Sequence, residues 1–207
     1  MSSDRSDWDE RYAARAAEEV SWYEPTPRRS LELIQAAGLN RQSGVLDVGG
    51  GASGLAARLL ELGYTDLTVT DISPAGLRRA KAQLGSGAER VIWVQADVRN
   101  HDFRRTYDLW HDRAVFHFMV SPADRDSYLR TLRQALPAGG QLVIATFGPQ
   151  GPTRCSGLPV QRYDIDALHL VLGEDFDLLS SSLWDHQTPS GKSQQFLYGH
   201  FRRMADA

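Results

Sequence analysis

The stretch VLDVGGGASG, residues 45–54, carries the strongest signal in the sequence. Gly49, Gly51 and Gly54 follow the spacing G-x-G-x-x-G, in which a strand turns sharply into a helix whose N-terminus receives a pyrophosphate. Asp47 does not suit a pyrophosphate, because a carboxylate at the mouth of the strand repels phosphate and attracts cations. The stretch therefore predicts a cofactor site at the end of a strand, for a cofactor that carries positive charge.

Apolar runs and helical patterns alternate around this stretch. Five runs predict strands, at residues 44–48, 66–71, 90–98, 106–112 and 139–147. Helices are predicted at residues 30–38, 52–63, from Pro74 onward, 121–136 and 163–173. Strands this apolar need cover on both sides, so the alternation predicts a parallel sheet with helices on both faces.

The end of the chain breaks the alternation. Residues 175–187 and 193–203 have the pattern of two strands, and the loop TPSGK between them is too short for a crossover helix. They predict an antiparallel hairpin at the edge of the sheet. The predicted fold class is therefore α/β, a doubly wound, mostly parallel seven-stranded sheet with a C-terminal antiparallel hairpin and helices on both faces.

Composition narrows the class of protein. With 207 residues, 42% of them hydrophobic, the chain is predicted to form a single domain over residues 1–207. The chain has 23 basic and 26 acidic residues, and the basic ones are scattered and form no stripe, so no nucleic-acid partner is expected. The sequence has no apolar run of about 18 residues, no signal-peptide pattern and one cysteine, which excludes an intrachain disulfide and a CxxC zinc site. A cytoplasmic protein without a membrane partner is the expectation.

The acid and the glycines of the opening stretch resemble a known family. The ammonium and sulfonium groups of S-adenosylmethionine (SAM) are cations of the kind that Asp47 attracts. Over about residues 30–201 the chain resembles the class I SAM-dependent methyltransferases, whose sheet has five parallel strands and a closing antiparallel hairpin. Their first motif sets an acid and glycines at the methionine portion of SAM, and Asp47, Gly49 and Gly51 match it.

The resemblance implies roles for three further segments. Asp71, at the end of the next strand, corresponds to an acid that accepts hydrogen bonds from both ribose hydroxyls. Asp97 corresponds to an acid beside the adenine, and Asp112 lies at the turn of the segment under the transferred methyl group. The implied cofactor-binding residues are Asp47, Gly49, Gly51, Asp71, Ile72, Asp97, Val98 and Asp112.

The spacing between the glycines and the next acid, taken alone, also permits a different cofactor. A ribose-binding acid about 20 residues after the glycines also suits NAD. The turn LPAGG before the fifth strand also departs from the P-G-G of the family. An NAD or FAD site would require the antiparallel ending and the series Asp47, Asp71 and Asp97 to be coincidental. SAM is therefore the expected cofactor, with S-adenosylhomocysteine (SAH) as its product.

Candidate catalytic residues cluster in residues 107–118. Methyl transfer needs a positioned nucleophile and, for some acceptors, a base. His117, after the loop expected beneath the methyl group, and Asp112 are the candidates. The alternatives are that His117 only packs with its neighbouring phenylalanines and that Asp112 forms an ion pair with Arg113.

No metal is predicted. His111, inside a strand, is interpreted as structural. The spacing H-x5-H, with Cys155 far along the chain, is not a zinc pattern.

Two segments outside the shared sheet are expected to cap the acceptor pocket. They are the aromatic arm at 1–29 and the Gly/Pro-rich loop at 148–162, on either side of a SAM-binding core at 30–147; residues 163–207 add a helix and the closing hairpin. Trp8 and Tyr12 are expected either to dock a helix or to line the pocket. Arg162 is the candidate anchor for an anionic acceptor, with pairing to Asp164 or Asp166 as the alternative. The predicted substrate residues are Trp22, Tyr23, Arg113, His117, Arg162 and Tyr163.

The acceptor is the least determined feature. The opening WDERY, residues 8–12, resembles the start of methyltransferases that act on small thiols and chalcogen or metalloid compounds, and of certain protein-lysine methyltransferases. A chain of 207 residues leaves no separate domain to hold a macromolecule, so a small-molecule acceptor, a thiol or a related nucleophile, is favoured. The alternatives are methylation of a protein lysine and a non-catalytic SAM-binding or scaffold protein. The sequence does not indicate an oligomeric state.

Overall fold

A computed structural model describes residues 5–14 and 19–205 of the chain. Residues 1–4 and 15–18 of the predicted arm and residues 206–207 of the closing segment lie outside the described residues. The helices are α1 Arg5–Ala14, α2 Arg28–Ala36, α3 Leu55–Glu61, α4 Pro74–Leu84, α5 Pro122–Ala135 and α6 Ile165–Leu172, with 3-10 helices at Gly85–Arg90 and Phe116–Phe118. The strands are β1 Val45–Val48, β2 Leu67–Asp71, β3 Val91–Gln95, β4 Leu109–Arg113, β5 Gln141–Phe147, β6 Arg154–Cys155, β7 Leu158–Pro159, β8 Phe176–Gln187 and β9 Ser193–Arg203. None of the described helices is long and apolar enough to cross a membrane.

Seven strands form one sheet in the order β3-β2-β1-β4-β5-β9-β8. Strands β1 to β5 run parallel, and β9 pairs antiparallel with both β5 and β8. Every residue of β1, β2 and β5 is buried, and because side chains alternate between the faces of a strand, both faces must be covered. The predicted fold class is confirmed.

The strand order reverses between β1 and β4, which are neighbours in space. The chain runs outward from β1 to β2 and β3, then returns to place β4 on the other side of β1. The loops after β1 and β4 therefore leave the sheet in opposite directions, and a crevice opens between them at the carboxyl ends of the strands. Ligands of open α/β sheets bind at such a reversal.

Two features differ from the sequence expectation. Strand β3 ends at Gln95 rather than at residue 98; the last bond to β2 runs from the backbone N–H of Ala96 to the carbonyl of Asp71 over 3.0 Å, and a turn closed by a bond from the N–H of Asn100 to the carbonyl of Asp97 follows. The predicted loop at 148–162 contains the small hairpin β6–β7. Its turn residues, Ser156 and Gly157, both have positive φ, the combination that a tight two-residue hairpin requires.

Candidate active site

The carboxyl ends of β1, β2 and β4 open into a pocket of about 760 Å³, a volume that includes its opening to solvent. The aromatic rings of Trp8, Tyr12 and Trp22 line it, with centroids between 5.9 and 6.5 Å apart. A second pocket of about 480 Å³ adjoins the first, and Gly49 and Arg113 line both. The site thus consists of two connected spaces at the point where the strand order reverses.

The glycine turn after β1 is shaped by close approaches of its neighbours. Gly49 has a φ of +68°, and a Cβ atom there would lie 2.1 Å from Cγ2 of Val115. A Cβ atom at Gly51 would lie 2.5 Å from Oδ2 of Asp71 and 2.7 Å from the hydroxyl of Tyr12. These distances are far below van der Waals separation, so the turn excludes side chains and keeps bare backbone at the pocket.

Asp71 ends β2 at the wall of the first pocket, and Ile72 beside it lines the same wall. Its Oδ2 accepts the N–H of Gly51 at 3.0 Å and its Oδ1 accepts the N–H of Ser73 at 2.8 Å. Each carboxylate oxygen has two acceptor positions, so each keeps one for a ligand. Burial raises the pKa of Asp71 to about 6, against the opposing effect of the two N–H groups. When ionised, this carboxylate can accept two neighbouring hydroxyls.

Asp97 and Val98 line the first pocket from the loop after β3. The Nε atom of Arg99 lies 2.9 and 3.0 Å from the two carboxylate oxygens of Asp97, and its Nη1 donates to Asp124 over 2.8 Å. This fork neutralises Asp97 and holds the loop against α5. Val98 then presents an apolar surface that suits a flat ring.

Asp47 lines the second pocket with half of its carboxylate unpaired. Its Oδ1 lies 2.7 Å from Nδ1 of His111, whereas its buried Oδ2 has no hydrogen-bond partner among the described residues. A buried carboxylate oxygen without a partner is costly, and an ammonium group would satisfy it. With two hydroxyl acceptors at Asp71 in the first pocket and an ammonium acceptor at Asp47 in the second, the residues present fit SAM, which would lie across both.

Asp112, a predicted cofactor and catalytic residue, lies behind the pocket wall. Its carboxylate accepts the hydroxyl of Tyr128 at 2.6 Å and the N–H groups of Val115 at 2.9 Å and Phe116 at 3.1 Å. Burial raises its pKa to about 6, although the bond from Tyr128 lowers it. Arg113 is not among its partners. Asp112 therefore shapes the turn that brings Val115 and Phe118 to the pocket, and lines neither space.

His117, the other catalytic candidate, is fully buried and lines neither pocket. Its ring centroid lies 4.5 Å from that of Phe118 and 4.6 Å from that of Phe147, whose N–H donates to Nδ1 over 3.3 Å. Burial, with a smaller contribution from the charge of Arg113, lowers its pKa to about 3. An imidazole with so low a pKa is a weak base at neutral pH. The packing alternative describes His117 in this structure.

Arg113 links the end of β4 to the segment that covers the pockets. Its Nη1 donates to the carbonyl of Trp22 over 2.8 Å, its Nε donates to the hydroxyl of Tyr198 over 3.1 Å, and its Nη2 lies 3.3 Å from Oε2 of Glu24. Nη2 makes no hydrogen bond. Tyr23 lines the second pocket beside them. Three of the predicted substrate residues, Trp22, Tyr23 and Arg113, therefore come together where the two spaces join.

Arg162 and Tyr163 lie outside both pockets. Nη1 of Arg162 donates to the carbonyls of Pro149 and Gly151 over 2.9 and 3.2 Å, and Asp164 caps α6 instead of pairing with it. Tyr163 is buried and stacks on Phe116. The position of Arg162 gives no support to a role as substrate anchor, because its guanidinium is used to hold the loop.

Cys155 and Arg99 line the first pocket but were not among the sites predicted from sequence. Cys155 reaches the first pocket from β6, where the dipeptide Ser156-Gly157 was the available hairpin signal. Arg99 follows Asp97 at a spacing suited to a local ion pair. Tyr12 packs so closely on α4 that a Cβ atom at Gly76 would lie 2.9 Å from its Cε2; a glycine in the first turn of a helix was the signal for this contact.

The described residues hold no metal site. Within residues 5–14 and 19–205, no three side chains of His, Cys, Asp or Glu are grouped as a metal ion would require.

A doubly wound sheet in this order, with an acid and a glycine turn at its point of reversal, is the architecture of the class I SAM-dependent methyltransferases. Comparison with known proteins agrees, because residues 45–140 match the sequence model of a family described as methyltransferase domain. Residues 45–140 therefore carry a methyltransferase domain, and SAM is the cofactor that the residues present at the site fit. The NAD and FAD alternatives are set aside.

Individual relatives differ in what they methylate. The chain is 28% identical over 169 residues to a malonyl-[acyl-carrier protein] O-methyltransferase of Anoxybacillus flavithermus. The aligned region is 78% of this chain but only 61% of that relative. A structure from work on the conversion of a disulfide bond into a thioacetal group during echinomycin biosynthesis has a TM-score of 0.78 at 20% identity and covers 98% of this chain and 93% of that one. A Burkholderia thailandensis 1,6-didemethyltoxoflavin-N1-methyltransferase with bound SAH has a TM-score of 0.68 at 22% identity, covering 97% and 84%. At these identities the solved structures show the fold alone.

Proposed function

We propose that this protein transfers the methyl group of SAM to a small-molecule nucleophile, with a thiol or a related nucleophile as the acceptor. SAM supplies a methyl group that is already activated by a positive sulfur. The protein then has to hold the acceptor in line, exclude water and favour its nucleophilic form. The observation that carries the proposal is the set of titratable groups in the first pocket, where Arg113 supplies the cation of an ion pair with Glu24 and each acidic group is protonated, bonded within the protein or placed to bind SAM.

Each titratable side chain of the first pocket is unsuited to take a proton from an acceptor. Burial raises the pKa of Cys155 to about 11 and that of Tyr12 well above its usual range, so both are protonated at neutral pH. Asp97 is bound by Arg99, and the free acceptor positions of Asp71 are the ones that the ribose hydroxyls of SAM would occupy. An acceptor that ionises without help suits such a site. A thiol with a pKa of about 8.5 does so in part, and the cation of Arg113 favours its thiolate.

The same argument weighs against a lysine side chain, whose pKa of about 10.4 leaves it protonated unless a base assists. The cover formed by Trp8, Tyr12 and Trp22 also favours an acceptor small enough to enter beneath it. The unpaired oxygen of Asp47 and the free acceptor positions of Asp71 argue against a protein that has lost its cofactor.

A small carboxylic acid is the second candidate. A carboxylate is already ionised at neutral pH, needs no base, and can pair with the guanidinium of Arg113. The Anoxybacillus flavithermus relative, named as a malonyl-[acyl-carrier protein] O-methyltransferase, supports this candidate.

The test follows radiolabelled methyl from SAM into separate pools of small thiols, small carboxylic acids, amines and folded proteins. We expect label in the thiol pool, with label in the carboxylic acid pool identifying the second candidate. Label confined to the protein pool would overturn the proposal. So would SAM binding, measured by calorimetry, without transfer to any pool. An Asp71→Ala variant, which should bind SAM much more weakly, controls for transfer by a contaminating enzyme.

A further inference from the structure

Ser30, His111 and Asp47 form a buried chain of hydrogen bonds beneath the second pocket. Nε2 of His111 lies 2.8 Å from Oγ of Ser30, and its Nδ1 lies 2.7 Å from Oδ1 of Asp47. The exposed fractions of Ser30, His111 and Asp47 are 0, 2 and 4%. The chain runs from α2 through β4 to β1, and the parallel register that sets Asp47 opposite His111 makes it possible.

The chemistry of the partners fixes the direction of the bonds. An ionised carboxylate can only accept, so Nδ1 of His111 carries the hydrogen and donates to Asp47. In the neutral ring Nε2 then accepts from the hydroxyl of Ser30. Oδ1 of Asp47 is thereby occupied, and Oδ2 is left as the oxygen without a partner.

Nucleophilic chemistry by Ser30 does not explain this chain, although serine, histidine and aspartate occur in that order in hydrolases. Ser30 is fully buried and lines neither pocket, so no substrate reaches its hydroxyl. Asp47 and His111, in contrast, both line the second pocket. Of the two end members of this row of hydrogen bonds, Ser30 and Asp47, only Asp47 lines a pocket.

We propose that His111, supported by Ser30, is a positioning residue for the cofactor: it holds the Asp47 carboxylate so that Oδ2 receives the ammonium group of the methionine portion of SAM. The bond from His111 to one oxygen fixes the plane of the carboxylate, and with it the direction in which the other oxygen can accept a hydrogen bond. This inference rests on the cofactor and not on the proposed acceptor, so it stands or falls separately from the thiol proposal.

The test compares two ligands by calorimetry. SAH contains the amino-acid portion, whereas 5′-methylthioadenosine keeps the adenosine and thioether but lacks that portion. We expect His111→Phe to weaken SAH binding about tenfold, the loss of a charged hydrogen bond, while binding of methylthioadenosine changes by less than about twofold. Asp47→Asn should show the same selectivity with a larger loss of SAH binding.

Controls separate positioning from a general effect on folding. His200 is another buried strand histidine, bonded through Nε2 to Oε1 of Gln141 over 2.7 Å and remote from both pockets, so His200→Phe should leave the ratio of the two affinities unchanged. If His111→Phe does not fold, Ser30→Ala tests the same chain and should weaken SAH binding alone, by about threefold. Equal losses for both ligands, or no loss for either, would overturn the proposal.

Discussion

Asp9, in α1, accepts a hydrogen bond from the backbone N–H of Ala75, in the first turn of α4, over 3.1 Å. The same oxygen accepts the hydroxyl of Ser73 over 2.5 Å, while Ser73 itself caps α4 by accepting the N–H of Gly76. A carboxylate at a helix N-terminus is favoured by the helix dipole as well as by the free N–H groups. This bond holds α1 over the first pocket, with Trp8 and Tyr12 facing inward.

Removing Asp9 should loosen this cover. We expect Asp9→Ala to weaken SAM binding about five- to tenfold, through faster release, because the bonds that Ala75 and Ser73 donate to this carboxylate at the start of α4 are lost. Stopped-flow displacement of SAH measures the release rate. Glu10→Ala, an exposed position on the same helix, is the matched control and should leave the rate unchanged. Equal release rates for both variants would show that α1 does not retain the cofactor.

Asp71 should make SAM binding dependent on pH. If its carboxylate accepts the ribose hydroxyls, Asp71→Ala weakens binding by about 2 to 4 kcal/mol without loss of the fold. With a pKa of about 6 in the free protein, Asp71 accepts these bonds only when ionised. Binding therefore favours the ionised form and lowers this pKa, so affinity should be constant above pH 6 and fall as pH drops below it. Calorimetry across pH 5 to 8 checks this, and Asp71→Asn should bind weakly without the pH dependence.

His117 should affect stability and not the chemical step. Its pKa is about 3 when folded and about 6.5 when unfolded, so below pH 6.5 the unfolded chain binds more protons. The free energy of unfolding should then fall by about 2 kcal/mol between pH 6.5 and 5 through this residue. His117→Asn, which keeps an acceptor for the N–H of Phe147, should remove that slope in urea unfolding. A large drop in kcat with an altered pH profile would restore His117 as a base.

The contrast between these aspartates and His117 shows what the sequence could predict. Asp47, Asp71 and Asp97 follow or end buried runs, and parallel strands share one edge for their carboxyl ends, so their convergence follows from the strand pattern. Asp112 lies behind the pocket wall because its carboxylate accepts a hydrogen bond from Tyr128 in α5. No local sequence pattern predicts the direction in which a side chain at the end of a strand points.

The sequence predicted that an aromatic arm covers the pocket, but not which contacts hold that arm in place. Helix α1 is polar, and its place depends on Asp9 reaching the first turn of α4 and on the space that Gly76 leaves for Tyr12. Both contacts join residues more than sixty positions apart. The contacts of Arg162 could not be predicted for a similar reason, because the carbonyls that bind it belong to the backbone of a loop without a periodic pattern.

Arg113 should act on the acceptor more than on the cofactor. Lysine keeps the positive charge but cannot donate at once to the carbonyl of Trp22 and the hydroxyl of Tyr198. We expect Arg113→Lys to raise KM for the acceptor about tenfold while the affinity for SAM stays within about twofold. Arg105→Lys, at an ion pair with Asp66 away from the pockets, is the control. Equal losses of acceptor and SAM binding would place Arg113 in the cofactor site instead.

The glycine turn offers a test in which backbone strain and steric overlap can be measured separately. Gly38 and Gly49 both have a φ of +68°, but a Cβ atom at Gly38 meets nothing within 4 Å, whereas at Gly49 it would lie 2.1 Å from Cγ2 of Val115. Gly38→Ala should therefore cost about 1 to 2 kcal/mol of unfolding free energy, the cost of a left-handed conformation. Gly49→Ala should cost about 2 kcal/mol more and weaken SAM binding, because the overlap moves the turn. Val115→Ala removes the opposing methyl, so the double variant should recover about 1 to 2 kcal/mol relative to the sum of the single changes in urea unfolding. Additive losses, or equal costs at Gly38 and Gly49, would mean that the turn moves freely away from Val115 and that its shape is not set by that contact.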